Sequence, residues 1–117
     1  MTQEDKKLLL KDLCGRLPYG VIVTDNRHGN SVITEIDTIS NTVYCFDFDE
    51  YAPIEKCLPY LRPMSSMTED EKKELFQLMG NGTDIKRIDF YISHHFDYRG
   101  LIYKGLALEA PEGMYII

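Results

Sequence analysis

The sequence predicts an α+β fold in which a three-stranded antiparallel meander packs against helices from both ends of the chain. Apolar residues recur at three- and four-residue spacing near the N-terminus, which is the period of an amphipathic helix. Residues 20–48 are rich in Val, Ile and Thr, which favour strands. A helical run begins again after Thr68. At 117 residues the chain has the length of one domain, and we expect 1–117 to share a single core.

The first helix is predicted over 1–16. Thr2 with Asp5 three residues later is typical of a helix N-terminus, and the leucines that follow form one apolar stripe. Gly15 is predicted to end the helix because glycine commonly occupies the position after the last helical residue.

Residues 20–48 are predicted to form the meander because strand-favouring runs alternate with turn-forming residues. The three predicted strands cover residues 20–25, 31–39 and 42–48. The apolar alternation changes phase near Glu35, which predicts a β-bulge, and Asn41 suits a tight turn because Asn tolerates positive φ. The two-residue period of the third strand places three aromatic residues on one face: Tyr44, Phe46 and Phe48.

The segment 58–79 separates the strand-rich half of the chain from the helix-rich half. Pro59 and Pro63 exclude a helix from its first part, residues 58–67, which we call the pivot. Thr68 followed by Glu71 has the pattern of a capping box and starts a helix. The apolar residues of this helix are expected on its buried face: Leu75, Phe76, Leu78 and Met79.

The C-terminal part, 83–108, is predicted to be mainly helical, although two periodicities coexist within residues 84–96. The isoleucines of this stretch are spaced as in a helix, whereas alternate residues are also apolar, as in a strand. We favour a helix because Thr83 and Asp84 offer N-caps and the stretch is long for one strand.

The end of the chain is predicted to hold two short elements and a tail. Asp97 is expected to cap a short helix over 98–104, and a short strand is expected over 106–108. Residues 109–117 are predicted to be an irregular tail because Pro111 and Gly113 oppose regular structure.

The charge balance and the cysteine count restrict the class of protein. A net charge of −6 argues against nucleic-acid and anionic-membrane binding, since both need a surplus of Lys and Arg. Three cysteines without a C-x-x-C pair argue against a disulfide framework or a zinc site and predict small buried side chains in a reducing compartment. Because the N-terminus lacks the pattern of a signal peptide and no apolar stretch reaches about 18 residues, we expect a cytoplasmic protein.

The densest group of ligand-type residues is His94, His95 and Asp97. One interpretation is a metal site or an acid–base pair, since imidazoles and carboxylates commonly perform both roles. The other interpretation is structural: the histidines lie near the C-terminal end of a helix and Asp97 caps the next turn. No cofactor motif is present, so we expect no cofactor.

The leading functional hypothesis is a non-enzymatic protein that acts through contacts with another protein. The candidate surface combines pivot residues with two residues further along the chain: Tyr60, Arg62, Met64, Met67, Tyr98 and Arg99. Methionine and arginine suit an adaptable interface. An alternative hypothesis is a protein that binds or sequesters a small anionic ligand, such as a nucleotide, because Arg62, Arg99 and Lys104 have the charge to pair with phosphates. A second alternative is a metal-dependent enzyme that uses His94, His95 and Asp97.

Three stretches of the sequence carry a family resemblance. They are residues 17–21 (Leu-Pro-Tyr-Gly-Val), residues 59–68 (Pro-Tyr-Leu-Arg-Pro-Met-Ser-Ser-Met-Thr) and residues 94–115, which begin His-His-Phe-Asp-Tyr-Arg-Gly. Together they resemble a family of small uncharacterised proteins encoded by gut bacteria, their phages and mobile elements. The resemblance implies a small intracellular accessory protein of viral or mobile-element origin. It implies no particular activity, cofactor or catalytic residue.

Overall fold

The computed structural model describes residues 1–81 and 84–115. Within these residues the helices are α1 (Gln3–Arg16), α2 (Glu69–Asn81) and α3 (Asp84–Ser93). The strands are β1 (Ile22–Asp25), β2 (Gly29–Asp37), β3 (Thr42–Cys45), β4 (Ala52–Pro53), β5 (Leu58–Leu61) and β6 (Leu108–Glu109). Short 3-10 helices span Leu17–Tyr19, Ile54–Lys56 and Met64–Ser66.

The strands form one mixed sheet in the order β4-β3-β2-β1-β5-β6. Strands β1, β2 and β3 are consecutive antiparallel neighbours, so the predicted α+β class and the meander are both confirmed. The sheet is larger than predicted, with six strands in the described residues rather than three. Strands β4 and β5 extend it antiparallel, and β6 adds to β5 in parallel.

Helix α1 begins with the predicted capping box. The N–H of Asp5 donates to Oγ1 of Thr2 at 3.0 Å, and the N–H of Thr2 donates to the Asp5 carboxylate at 3.2 Å. The prediction that Gly15 ends the helix is wrong, because the chain stays right-handed until Gly20, where φ is 73°. A β-carbon at Gly15 would lie 3.6 Å from Cδ1 of Ile92, so α1 approaches α3 closely at this residue.

The third strand ends earlier than predicted, and this separates Phe48 from the face that it was expected to share with Tyr44 and Phe46. The bulge near Glu35 and the positive φ of Asn41 are confirmed. Strand β3 stops at Cys45, and a turn follows. Val43 and Cys45 are buried and Phe46 is 78% exposed, as the predicted alternation requires, whereas Phe48 lies after the turn and returns to the core. The loss of strand geometry after Cys45 therefore decides where the Phe48 ring points.

The pivot contains a strand that the sequence did not predict. Strand β5 pairs with β1 on one side and with β6 on the other, although Pro59 lies within it. After β5 the backbone continues into a parallel bridge between Arg62 and Phe96: the N–H of Arg62 donates to the carbonyl of His95, and the N–H of Asp97 donates to the carbonyl of Arg62. The fixed φ of proline is compatible with an extended chain, so this strand tolerates it.

Helices α2 and α3 follow one another along the chain and pack together as a hairpin. The helical interpretation of residues 84–93 is confirmed, whereas the predicted cap at Thr83 lies outside the described residues. The predicted buried face of α2 is wrong in part. Leu75 and Leu78 are half-buried, but Phe76 is 78% exposed and Met79 is 57% exposed, because only the stripe through Glu71 faces the rest of the fold. The list of apolar residues alone could not choose between these two stripes.

The short helix predicted over 98–104 is absent from the described residues, which form turns there instead. The carboxylate of Asp97 accepts the N–H groups of Leu101 and Ile102 at 2.8 and 3.0 Å, so it closes a turn rather than capping a helix. The last strand is confirmed in existence, but it begins at Leu108, two residues later than expected, and it includes Glu109, which was predicted to belong to the irregular tail.

The core lies between α1 and one face of the sheet. Its buried members come from α1, from strands β1 to β5 and from the loops that follow, among them Leu9, Leu13, Val23, Val43 and Leu61. The expectation of three buried thiols is wrong for one of them: Cys45 and Cys57 belong to the core, but Cys14 is exposed. Within the described part of the chain, no helix is long and apolar enough to cross a membrane.

Candidate functional site

The pivot is attached to α2 by a bidentate ion pair. Nη1 and Nη2 of Arg62 each donate to one oxygen of the Glu71 carboxylate at 2.7 Å. The same two nitrogens also donate to the carbonyls of His94 and Ser66, and the guanidinium lies 4.2 Å above the ring of Phe96. The side chain of Arg62 is only 13% exposed, so its charge is used within the fold.

The capping box of α2 supplies the carboxylate of this pair. Oε1 of Glu71 accepts the N–H of Thr68 at 2.9 Å, and Oγ1 of Thr68 accepts the N–H of Glu71 at 3.2 Å, as the sequence predicted. The Arg62 guanidinium beside Glu71, together with these hydrogen bonds, lowers the pKa of that carboxyl to about 2. One local sequence pattern therefore starts the helix and fixes the counterion of Arg62.

His94 extends the same network along α3. Its Nδ1 lies 3.0 Å from Oε2 of Glu71, and its ring stacks on Phe90 with centroids 4.3 Å apart. Its Nε2 is 4.0 Å from Glu74 at the edge of a cavity of about 250 Å³. A carboxylate that orients an imidazole is a known arrangement for acid–base chemistry, and Tyr19, Lys86 and Ser93 line the same cavity.

His95 lies in a different environment from its neighbour. Its φ is 65°, which turns the chain out of α3, and its ring stacks on Tyr115 at 3.7 Å with an interplanar angle of 10°. Burial, with the nearby charges of Arg16 and Arg62, lowers the pKa of His95 to about 4. Its Nδ1 is buried and has no hydrogen-bond partner within the residues described. The ring is therefore held neutral.

The three residues predicted as a metal site do not converge. His94 faces Glu71, His95 faces Tyr115, and Asp97 closes a turn. Across residues 1–81 and 84–115, no group of three or more His, Cys, Asp or Glu side chains could hold a metal ion. The structural interpretation of this cluster fits the geometry better than the metal interpretation.

Arg99, the second arginine of the predicted surface, belongs to another ion-pair group. Its Nε donates to the buried carboxylate of Asp12 at 3.1 Å, and its guanidinium lies 4.9 Å from the ring of Tyr98. Asp12 also accepts from the fully buried Arg16 at 2.6 Å, and Arg16 donates to the carbonyl of Phe96. The structure thus places Arg62 and Arg99 in two separate networks, each with its own carboxylate.

A polar cleft of about 450 Å³ lies between the pivot and residues 109–115, which we call the C-terminal segment. Arg62 lines it, but its donors already face Glu71. The other charged residues of the lining are Glu109 and Glu112. With the guanidinium neutralised and two carboxylates present, this cleft disfavours a phosphate rather than attracting one.

The opposite face of the sheet from the core carries an apolar groove of about 520 Å³. Ile22 of β1 pairs with Val32 of β2, and both point away from the buried residues that alternate with them. The N–H of Phe46 donates to the carbonyl of Val32, which places the exposed Phe46 ring beside this pair. Met114 of the C-terminal segment completes the lining. We call this site the outer-face groove.

The predicted surface residues relate to the groove in different ways. Tyr60 lies on the outer face, because it alternates with the buried Pro59 and Leu61 of β5. Met64 is exposed and Met67 is half-buried on the pivot. The sequence did not single out the groove residues as a site, although the alternation within β1 indicated which side chains leave the core.

Comparison with known proteins found no relative of this chain. No protein-family model, curated protein or solved structure matches the chain.

Proposed function

We propose that this protein is a small non-enzymatic accessory protein that acts by binding another protein through the outer-face groove. The observation that carries the proposal is the contiguous apolar lining formed by Ile22, Val32, Phe46 and Met114. Contiguous apolar surface on a sheet face, rimmed by polar residues, is typical of an interaction site.

The rim of the groove indicates the chemistry of the partner. Asn30, Thr34 and Asp47 surround the apolar floor, and Asp47 is exposed while accepting a hydrogen bond from Ser31 at 3.1 Å. The chain as a whole carries a net charge of −6. We therefore propose a partner segment with an apolar side chain for the floor, next to a Lys or Arg that faces Asp47.

The polar clusters support binding rather than catalysis. The guanidinium of Arg62 and the carboxylate of Glu71 satisfy one another, and Asp12 is shared by Arg16 and Arg99. Groups paired in this way stabilise a fold, whereas a reaction centre needs a group that is free to contact substrate. The family resemblance of the sequence supports the same proposal, with an intracellular protein of phage or mobile-element origin.

Selection from a phage-displayed peptide library tests the proposal directly. Wild-type protein should enrich peptides in which an apolar residue is adjacent to Lys or Arg. The Phe46→Ser variant should no longer bind these peptides, because the substitution removes the largest exposed ring of the groove. Asp47→Asn should weaken them less, since a rim charge contributes less than a buried contact.

A matched control comes from α2. Phe76 on this helix is also 78% exposed and is not part of the groove lining, so Phe76→Ser removes an equally exposed ring outside the groove. The selected peptides should bind the Phe76→Ser variant as they bind wild type. Peptides whose binding is lost in Phe76→Ser but not in Phe46→Ser would contradict the groove as the binding site. A selection in which no peptide binds the wild-type protein would contradict it as well.

A further inference from the structure

Tyr115 lies between strands β1 and β5 at the point where their pairing ends. Its hydroxyl accepts the N–H of Ile22 at 2.9 Å and donates to the carbonyl of Tyr60 at 2.7 Å. These two backbone groups belong to neighbouring strands. The Tyr115 hydroxyl therefore takes the place of a direct backbone hydrogen bond between β1 and β5.

The ring of Tyr115 is held as firmly as its hydroxyl. It stacks on His95, which is itself buried. Burial raises the pKa of Tyr115 to about 12, so the phenol keeps the proton that it donates to Tyr60. The stacking on His95 and the hydrogen bonds to β1 and β5 therefore both depend on the side chain of Tyr115.

The rest of the C-terminal segment is attached by much less. The N–H of Ala110 donates to the carbonyl of Leu61 at 2.8 Å, and the N–H of Met114 donates to Pro111 within the segment. Residues 111–113 are exposed. Tyr115 is therefore the anchor that returns this segment to the sheet after an exposed stretch.

The anchored segment also forms part of the proposed binding site. Met114 precedes Tyr115 and lines the outer-face groove beside Ile22. We propose that Tyr115 is a positioning residue that holds Met114 as one wall of the groove and so sets the affinity for the partner segment. This inference rests on the proposed function, and it assigns the C-terminal segment to the binding surface.

The first test needs no partner. Tyr115→Phe removes the hydroxyl and keeps the ring, and Tyr103→Phe is the matched control because Tyr103 is 97% exposed. Hydrogen exchange of the Ile22 amide should become about tenfold faster in Tyr115→Phe, as expected for the loss of one hydrogen bond of ordinary strength, and should not change in Tyr103→Phe. A glutamate-specific protease should also cleave after Glu112 faster in Tyr115→Phe. Unchanged exchange and cleavage would overturn the anchoring role.

The second test uses peptides whose binding depends on Phe46. Tyr115→Phe should weaken the binding of these peptides by about tenfold. The double variant Met114→Ala, Tyr115→Phe should bind them no more weakly than Met114→Ala alone, because both changes act through Met114. Peptides that bind Tyr115→Phe as well as wild type would overturn this inference and leave the proposed function intact. If no peptide depends on Phe46, the proposed function fails, and the positioning role fails with it.

Discussion

Arg62 and Glu71 form a bidentate ion pair in which both nitrogen–oxygen distances are 2.7 Å. The pair joins the end of β5 to the first turn of α2, and the same carboxylate accepts the N–H of Thr68 and faces His94. Planar pairing of this kind fixes orientation as well as distance. The first turn of α2 is thereby held to the pivot, and the buried ring of Phe90 on α3 stacks on Phe96.

Breaking this pair should destabilise the fold strongly. Glu71→Gln removes the charge that faces a guanidinium that is only 13% exposed, and we expect a loss of about 3 kcal/mol in the free energy of unfolding. Urea denaturation followed by circular dichroism measures this loss. Glu69→Gln is the control, because the Glu69–Lys72 pair on the same helix is exposed and should contribute nothing measurable. Equal effects of the two changes would show that the Arg62 pair does not hold the hairpin.

Acidification should lower stability in two steps. The pKa of His95 is about 4 in the folded protein and near 6.5 without the fold, so the unfolded chain takes up this proton first and stability falls as pH decreases from about 6.5 to 4. Glu71, with a folded pKa of about 2 against 4.5, adds a second loss as pH falls from about 4.5 to 2. Urea midpoints measured from pH 8 to pH 3 should show the first step in wild type and not in His95→Gln. If His95→Gln keeps the full decline above pH 5, burial of that imidazole is not its cause.

Local patterns predicted the elements that depend on neighbouring residues. The two capping boxes, the bulge near Glu35 and the turn at Asn41 are all decided within a few residues, and all are confirmed. Strand β5 was missed because its partners are distant in sequence and its proline suggests only an extended chain. The exposed position of Phe76 was also missed, because amphipathic spacing does not say which stripe meets the core.

The candidate site depended still more on distant contacts. Tyr115 and Ile22 are 93 residues apart, and Arg16 and Phe96 are 80 apart, so no window of sequence contains either contact. Arg62 was predicted to face a partner protein or a phosphate, and its partner Glu71 could be found only once α2 was placed against the pivot. Charge and side-chain type indicate what a residue can do, whereas packing decides whether it remains free to do it.

Two glycines near the end of α1 should respond oppositely to alanine. Gly15 lies inside α1, where a β-carbon meets only Ile92 at an ordinary 3.6 Å, so Gly15→Ala should stabilise the protein by about 0.5–1 kcal/mol. Gly20 has a φ of 73°, which disfavours any side chain, so Gly20→Ala should destabilise it by about 1 kcal/mol. Thermal denaturation of the two variants measures both signs. A destabilising Gly15→Ala would contradict the continuation of α1 through this residue.

The three cysteines should react at very different rates in the native protein. Cys14 is exposed, whereas burial raises the pKa of Cys45 and of Cys57 to about 12, which suppresses the thiolate that alkylating agents attack. Brief treatment with iodoacetamide at pH 8 should therefore modify one cysteine per chain, and Cys14→Ser should abolish the rapid reaction. In urea all three should react, which controls for reagent quality. Both thiols lie in the core between α1 and the sheet, so a reagent can reach them only when the sheet opens. Rapid modification of Cys45 or Cys57 under native conditions would therefore contradict the stable burial of these two side chains.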